Sequence, residues 1–133
     1  MKRKILIVDD EKSFTQLVKL NLEESGQYQV FIENNATNCL DTALQQKPEV
    51  ILLDVIMPEM EGPDVLNMIR CHKQTKNIPV IFLTATVRAE EVNAQQGVIG
   101  GHSFIAKPSS VEELIASIEI AILNFKLPGF LSI

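Results

Sequence analysis

The sequence contains few aromatic residues and no long apolar run. Its 133 residues include no tryptophan and only one tyrosine, so we expect a core built mostly of Ile, Leu and Val. No stretch approaches the ~20 consecutive apolar residues of a membrane-spanning helix. The apolar run at residues 5–8 is followed at once by acids and is too short for a signal peptide. These absences predict a soluble cytoplasmic protein without a membrane partner.

Positive charge is also scarce, and the formal net charge is −5. This acidic balance argues against a nucleic-acid-binding surface on the chain. The two cysteines, Cys39 and Cys71, have neither metal-ligand spacing nor the sequence context of a nucleophile. We interpret them as free thiols of a reducing cytosol.

The apolar runs that are present have the length and composition of buried strands. Val50 to Leu53 form an unbroken aliphatic run that ends in Asp54, which suits a central strand covered on both faces of a parallel sheet. Further strands are predicted at residues 5–8, 28–32, 79–83 and 103–106. Helices alternate with the strands and are predicted at residues 12–25, between Asn35 and Pro48, at residues 62–75 and 88–96, and from about residue 110. Such alternation predicts an α/β fold with a doubly wound parallel sheet and right-handed crossovers. We assign residues 1–126 to one domain and residues 127–133 to a C-terminal tail or the start of a linker.

Reactive side chains stand at the ends of four predicted strands. Asp9 and Asp10 follow the first, Asp54 the third, Thr84 the fourth and Lys107 the fifth. The carboxyl ends of parallel strands share one edge of a sheet, so the three carboxylates would repel each other unless a cation compensated their charge. Mg²⁺ prefers such oxygen ligands. Carboxylates and Mg²⁺, together with a hydroxyl and an ammonium group, are typical of a phosphoryl-transfer site, in which a carboxylate can be the nucleophile.

Four short motifs contain these residues. They are Val8-Asp9-Asp10, residues 53–58 with Gly62, Leu83-Thr84-Ala85, and residues 104–108. Together they resemble the receiver domain of the two-component response-regulator family over about residues 4–125. The resemblance implies a flavodoxin-like fold with five parallel strands in the order 2-1-3-4-5.

The resemblance also implies how the acids are used. Asp54 would accept a phosphoryl group from a histidine kinase or a histidine phosphotransfer protein. Mg²⁺ would be bound directly by Asp10, Asp54 and the backbone carbonyl of Ile56, whereas Asp9 would act chiefly through a coordinated water. The domain would catalyse only its own phosphorylation and dephosphorylation, and so would not be an enzyme acting on another substrate.

Four further positions have implied roles in the response to the phosphoryl group. Lys107 would pair with the phosphoryl oxygens, and Thr84 with the backbone amide of Ala85 would donate hydrogen bonds to them. Phe104 occupies the family's switch position, at which an aromatic ring moves inward when Thr84 shifts toward the phosphate. The switched surface would be recognised by a downstream effector protein or by an output domain outside this chain.

Three alternative interpretations fit the sequence less well. A phosphatase of the haloacid dehalogenase type would need a second Asp two positions after its nucleophile, but Asp54 is followed by Val55-Ile56. A dinucleotide-binding fold would need a Gly-rich turn after the first strand, where acids stand instead. A receiver-like module that takes no phosphate would lack an acid, the Thr or the Lys, and none is missing.

The final helix carries a second apolar stripe beside its core-facing one. The stripe has the spacing of a packed helix pair and consists of Ala116, Ile120, Leu123 and Leu127. It predicts a homodimer through this helix. The alternative is that residues 130–133 fold back over the stripe.

Overall fold

The computed structural model describes residues 1–85, 98–99, 102–107 and 110–126, and its elements follow the apolar runs of the sequence closely. The strands are β1 (Arg3–Val8), β2 (Tyr28–Glu33), β3 (Val50–Asp54), β4 (Val80–Thr84), β5 (Val98–Ile99) and β6 (His102–Ala106). The helices are α1 (Lys12–Glu24), α2 (Cys39–Gln46) with a 3-10 turn before it (Ala36–Asn38), α3 (Gly62–Cys71) and α4 (Val111–Lys126). The predicted helix at residues 88–96 and the predicted tail at 127–133 lie outside the described residues.

The strands form one sheet in the order β2-β1-β3-β4-β6-β5. The first five of these run parallel, with β6 as the fifth strand that the sequence predicts. The predicted α/β fold and its order 2-1-3-4-5 are therefore confirmed. The sequence did not predict β5, a two-residue strand that pairs antiparallel with β6 at the sheet edge.

Apolar side chains cover both faces of this sheet. Because successive strand residues point to opposite faces, Ile5 and Ile7 belong to one core cluster and Leu6 and Val8 to the other. The first cluster includes residues of α1 and α4, and the second includes residues of α2 and α3. β3 lies in the middle and is buried at every residue, as its unbroken aliphatic run predicts.

Two helical predictions were wrong in detail. Helix α3 ends at Cys71 instead of Thr75, and the buried Thr75 hydroxyl donates a 2.7 Å hydrogen bond to the carbonyl of Ile69. This hydrogen bond between a side chain and the backbone takes the place of a further helical turn after Cys71. On α1, the helical spacing of the apolar residues predicts that Leu17 faces the core beside Val18 and Leu22, but Leu17 is 55% exposed. Thr15 of the same helix is fully buried, and its hydroxyl donates to the Lys12 carbonyl and accepts from the side-chain amide of Asn34.

Helix α4 begins where the sequence predicts. The Ser110 hydroxyl accepts a 3.1 Å hydrogen bond from the Glu113 amide, which caps the first turn. Ala116, Ile120 and Leu123 of the predicted stripe are exposed, while Leu127 lies outside the described residues. Among the helices that the structure describes, none is long and apolar enough to cross a membrane.

Candidate functional site

The sheet brings the predicted site residues to one edge. Val8 pairs with Leu53 in register, so Asp9 and Asp54 leave adjacent strands side by side. On the other side of β3, Thr84 pairs with Ala106, and the Lys107 amide donates a 2.8 Å hydrogen bond to the Thr84 carbonyl. The convergence that was predicted from parallel strand ends is therefore present.

Three carboxylates form a cluster at this edge. One oxygen each from Asp9, Asp10 and Asp54 lies within 4.8 Å of the others. Asp9 and Asp54 are buried, whereas Asp10 is exposed to solvent. Burial and then repulsion from Asp9 raise the pKa of Asp54 to about 6, although the nearby Lys107 opposes the shift. Hard oxygen ligands crowded in this way fit a divalent cation such as Mg²⁺.

The Lys107 ammonium group is surrounded by carboxylates. Its Nζ atom lies 2.7 Å from Asp9 Oδ2, 3.2 Å from Glu11 Oε1 and 3.6 Å from Asp54 Oδ1. The same atom stands 4.6 Å from the centre of the Phe14 ring, within range of a cation–π contact. Burial alone would lower the pKa of Lys107, but the pairs with Asp9 and Asp54 outweigh it and raise that pKa.

Two supporting residues were missed by sequence reasoning. The amide side chain of Asn34 donates to the Asp9 carbonyl at 2.8 Å and to the Thr15 hydroxyl at 3.1 Å, which anchors the turn that carries the acids. Glu11, directly after the Asp9-Asp10 pair, reaches Lys107. The position of Glu11, immediately after the two acids, is the signal that could have drawn attention to it.

The segment after Asp54 bends back closely onto the strand. The amide of Gly62 donates a 2.7 Å hydrogen bond to the Val55 carbonyl. A Cβ atom at Gly62 would stand 2.7 Å from the Asp54 carbonyl oxygen, so this position requires glycine. The bend leaves a cleft of about 240 Å³ whose lining includes Asp10, Asp54, Ile56, Thr84, Ala85 and Lys107.

The two predicted switch residues lie on one face of the sheet. Phe104 pairs in register with Phe82, and their ring centres are 5.2 Å apart. Thr84 follows Phe82 by two residues on β4 and therefore points to the same face. Thr84 is buried and Phe104 is half-buried. This placement is compatible with coupled movement, which stays a prediction.

Fold and site together define a doubly wound α/β domain with an acidic cluster at the carboxyl edge of its sheet. The family model of the response regulator receiver domain matches residues 5–119. The chain belongs to this family.

Several solved structures are similar to the chain. Chemotaxis protein CheY4 of Vibrio cholerae is 29% identical over 91% of this chain and 99% of its own, with a TM-score of 0.76. A response regulator receiver domain protein of Clostridium thermocellum is also 29% identical, over 94% of this chain and 98% of its own, with a TM-score of 0.75. The N-terminal domain of a response regulator receiver protein of Methanoculleus marisnigri is 31% identical over 88% and 94%, with a TM-score of 0.65.

Proposed function

We propose that Asp54 accepts a phosphoryl group, from a histidine kinase or a histidine phosphotransfer protein, in a two-component signalling pathway. The observation that supports this most is the convergence of Asp9, Asp10 and Lys107 on Asp54, which itself lines the cleft. A carboxylate with a cation site on one side and an ammonium group on the other is arranged to receive an anionic phosphoryl group.

The transfer begins with attack by a carboxylate oxygen of Asp54 on the phosphorus atom of the donor. A new phosphorus–oxygen bond forms, and the bond between phosphorus and the donor's imidazole nitrogen breaks, with the electron pair staying on that nitrogen. Because its pKa is about 6, Asp54 is mostly ionised at neutral pH and can act as the nucleophile. Lys107, whose Nζ atom lies 3.6 Å from Asp54 Oδ1, would neutralise charge on the phosphoryl oxygens, and Thr84 with the Ala85 amide would donate hydrogen bonds to them.

The carboxylate cluster would hold Mg²⁺ through Asp10, Asp54 and the carbonyl of Ile56, with Asp9 acting through water. When bound, Mg²⁺ supplies positive charge that offsets repulsion between these carboxylates and the phosphoryl oxygens. The resulting site would catalyse only its own phosphorylation and dephosphorylation.

The test is phosphorylation by acetyl phosphate in the presence of Mg²⁺, followed by intact-mass measurement. The wild type should gain one phosphoryl group, whereas Asp54→Asn and a wild-type sample with excess chelator should gain none. Equal labelling of wild type and Asp54→Asn would rule out Asp54 as the acceptor.

We further propose that phosphorylation changes a protein-interaction surface through Thr84 and Phe104. Thr84 lines the cleft and Phe104 lies on the same face of the sheet, so we expect the ring of Phe104 to follow a shift of Thr84 toward the phosphate. The signal would pass to an effector protein or to an output domain. The site of action would be the cytoplasm, where receivers meet the phosphorylated histidine of their kinases.

Self-association through α4 is a second proposed means of output. Ile120 is 58% exposed and Leu123 is 46% exposed, and Ala116 continues the stripe by one turn. Exposed apolar side chains at helix-pair spacing favour packing against the same stripe of a second copy. The resulting dimer would bury surface that α4 otherwise leaves in water.

A further inference from the structure

The environment of Lys107 contains one partner that phosphoryl transfer does not use. An ammonium group has three N–H donors, and three carboxylates face it here, from Asp9, Asp54 and Glu11. We propose that Glu11 is a positioning residue that holds Lys107 in the unphosphorylated protein and is displaced when a phosphoryl group arrives. This inference rests on the proposed phosphorylation of Asp54.

The direction of the Glu11 side chain is the first argument. Glu11 is the N-cap residue of α1, a position at which a carboxylate can accept a hydrogen bond from the helix amides. Within the described chain, however, its side chain makes no capping hydrogen bond, and its Oε1 lies 3.2 Å from Lys107 Nζ instead. The Glu11 amide donates a 3.0 Å hydrogen bond to Asp9 Oδ1, which fixes the backbone from which the side chain extends.

Solvent exposure decides which partner Lys107 releases. The side chain of Asp9 is completely buried, so a lost contact with Lys107 would leave an uncompensated buried charge. The side chain of Glu11 is 62% exposed, and water can replace the ammonium group at little cost. Lys107 itself is only 9% exposed. It can therefore exchange Glu11 for a phosphoryl oxygen while it keeps its contact with Asp9.

The exchange makes Glu11 a competitor of the phosphoryl group. Removal of its carboxylate should free one donor of Lys107 and tighten the binding of a phosphoryl mimic. Because exposed ion pairs are weak, the expected gain in affinity is roughly two- to fivefold. The gain in affinity should depend on whether the carboxylate at position 11 contacts Lys107, and not only on its charge.

The experiment is a titration of the Mg²⁺-loaded protein with beryllofluoride, a phosphoryl mimic, followed by nuclear magnetic resonance. Glu11→Gln removes the carboxylate, and Glu11→Asp keeps the charge but shortens the side chain by one methylene, away from Lys107. Glu24→Gln is the matched control, because it removes the same charge from an exposed position at the other end of α1.

The inference predicts that both Glu11 variants bind beryllofluoride roughly two- to fivefold more tightly than the wild type and the Glu24→Gln control. It is overturned if Glu11→Gln matches the control. It is also overturned if Glu11→Asp matches the wild type while Glu11→Gln binds more tightly, because net charge would then explain the gain. If the wild type neither binds beryllofluoride nor takes phosphate from acetyl phosphate, the proposed phosphorylation of Asp54 is itself wrong. The two results above, obtained with a wild type that binds beryllofluoride, overturn only the role of Glu11.

Discussion

Replacement of Asp54 by asparagine is expected to stabilise the metal-free protein at neutral pH. The pKa of Asp54 is raised from 3.8 to about 6, first by burial and then by Asp9. A shift of about two units corresponds to roughly 3 kcal/mol of free energy. Because the folded-state pKa lies above the unfolded one, protonated Asp54 favours folding below about pH 4, and this contribution is lost as the pH rises through about 6. Asparagine has nearly the same shape and carries no charge at any pH.

Urea unfolding in excess chelator measures the effect. Near pH 7.5, Asp54→Asn should exceed the wild type in free energy of unfolding by about 2–3 kcal/mol, and near pH 4 the difference should nearly vanish. Glu24→Gln serves as a control at an exposed carboxylate of α1. Equal differences at both pH values would refute the reasoning, as would a less stable Asp54→Asn at pH 7.5. The second result would mean that the contact between Lys107 and Asp54 outweighs burial and repulsion.

Further predictions concern metal binding, the bend after the central strand, and association. Asp10→Ala should lower the affinity for Mg²⁺ in calorimetric titration, whereas Lys107→Ala should retain it; equal losses would contradict this division of roles. Gly62→Ala should lower the free energy of unfolding by about 1–3 kcal/mol, because its methyl group would stand 2.7 Å from a backbone carbonyl oxygen. An unchanged urea midpoint would show that the bend relaxes freely. Ile120→Glu combined with Leu123→Glu should abolish self-association in sedimentation velocity, because both side chains are exposed on α4. A wild type that is monomeric both with and without beryllofluoride would disprove pairing through α4.

The arrangement of the fold was predictable because its strands are buried on both faces. An aliphatic run such as Val50 to Leu53 has few alternatives to a central parallel strand, and the acid after it marks the sheet edge. Once the strands are parallel, their carboxyl ends must meet. Topology therefore brings Asp9, Asp54 and Lys107 to one edge of the sheet, and the long side chain of Lys107 spans the remaining distance to the two carboxylates.

Other features depend on side-chain geometry that a periodic pattern does not contain. Leu17 satisfies the helical spacing, yet the arc of α1 that faces the sheet is narrower than the apolar stripe, and Leu17 is exposed. The end of α3 depends on one hydroxyl, that of Thr75, which bonds to a carbonyl six residues earlier. The pairing of Glu11 with Lys107 joins residues 96 positions apart, so the place of Glu11 after Asp9-Asp10 indicates that it is near the site but does not identify its partner.

The most direct test of the central claim is chemical trapping of the phosphorylated residue. The protein is incubated with acetyl phosphate and Mg²⁺, reduced with borohydride, digested and sequenced by tandem mass spectrometry. Borohydride reduces an aspartyl phosphate to homoserine. The account predicts homoserine at position 54, with Asp9 and Asp10 unchanged. Homoserine at another aspartate, or its absence from a protein that binds Mg²⁺, would contradict it.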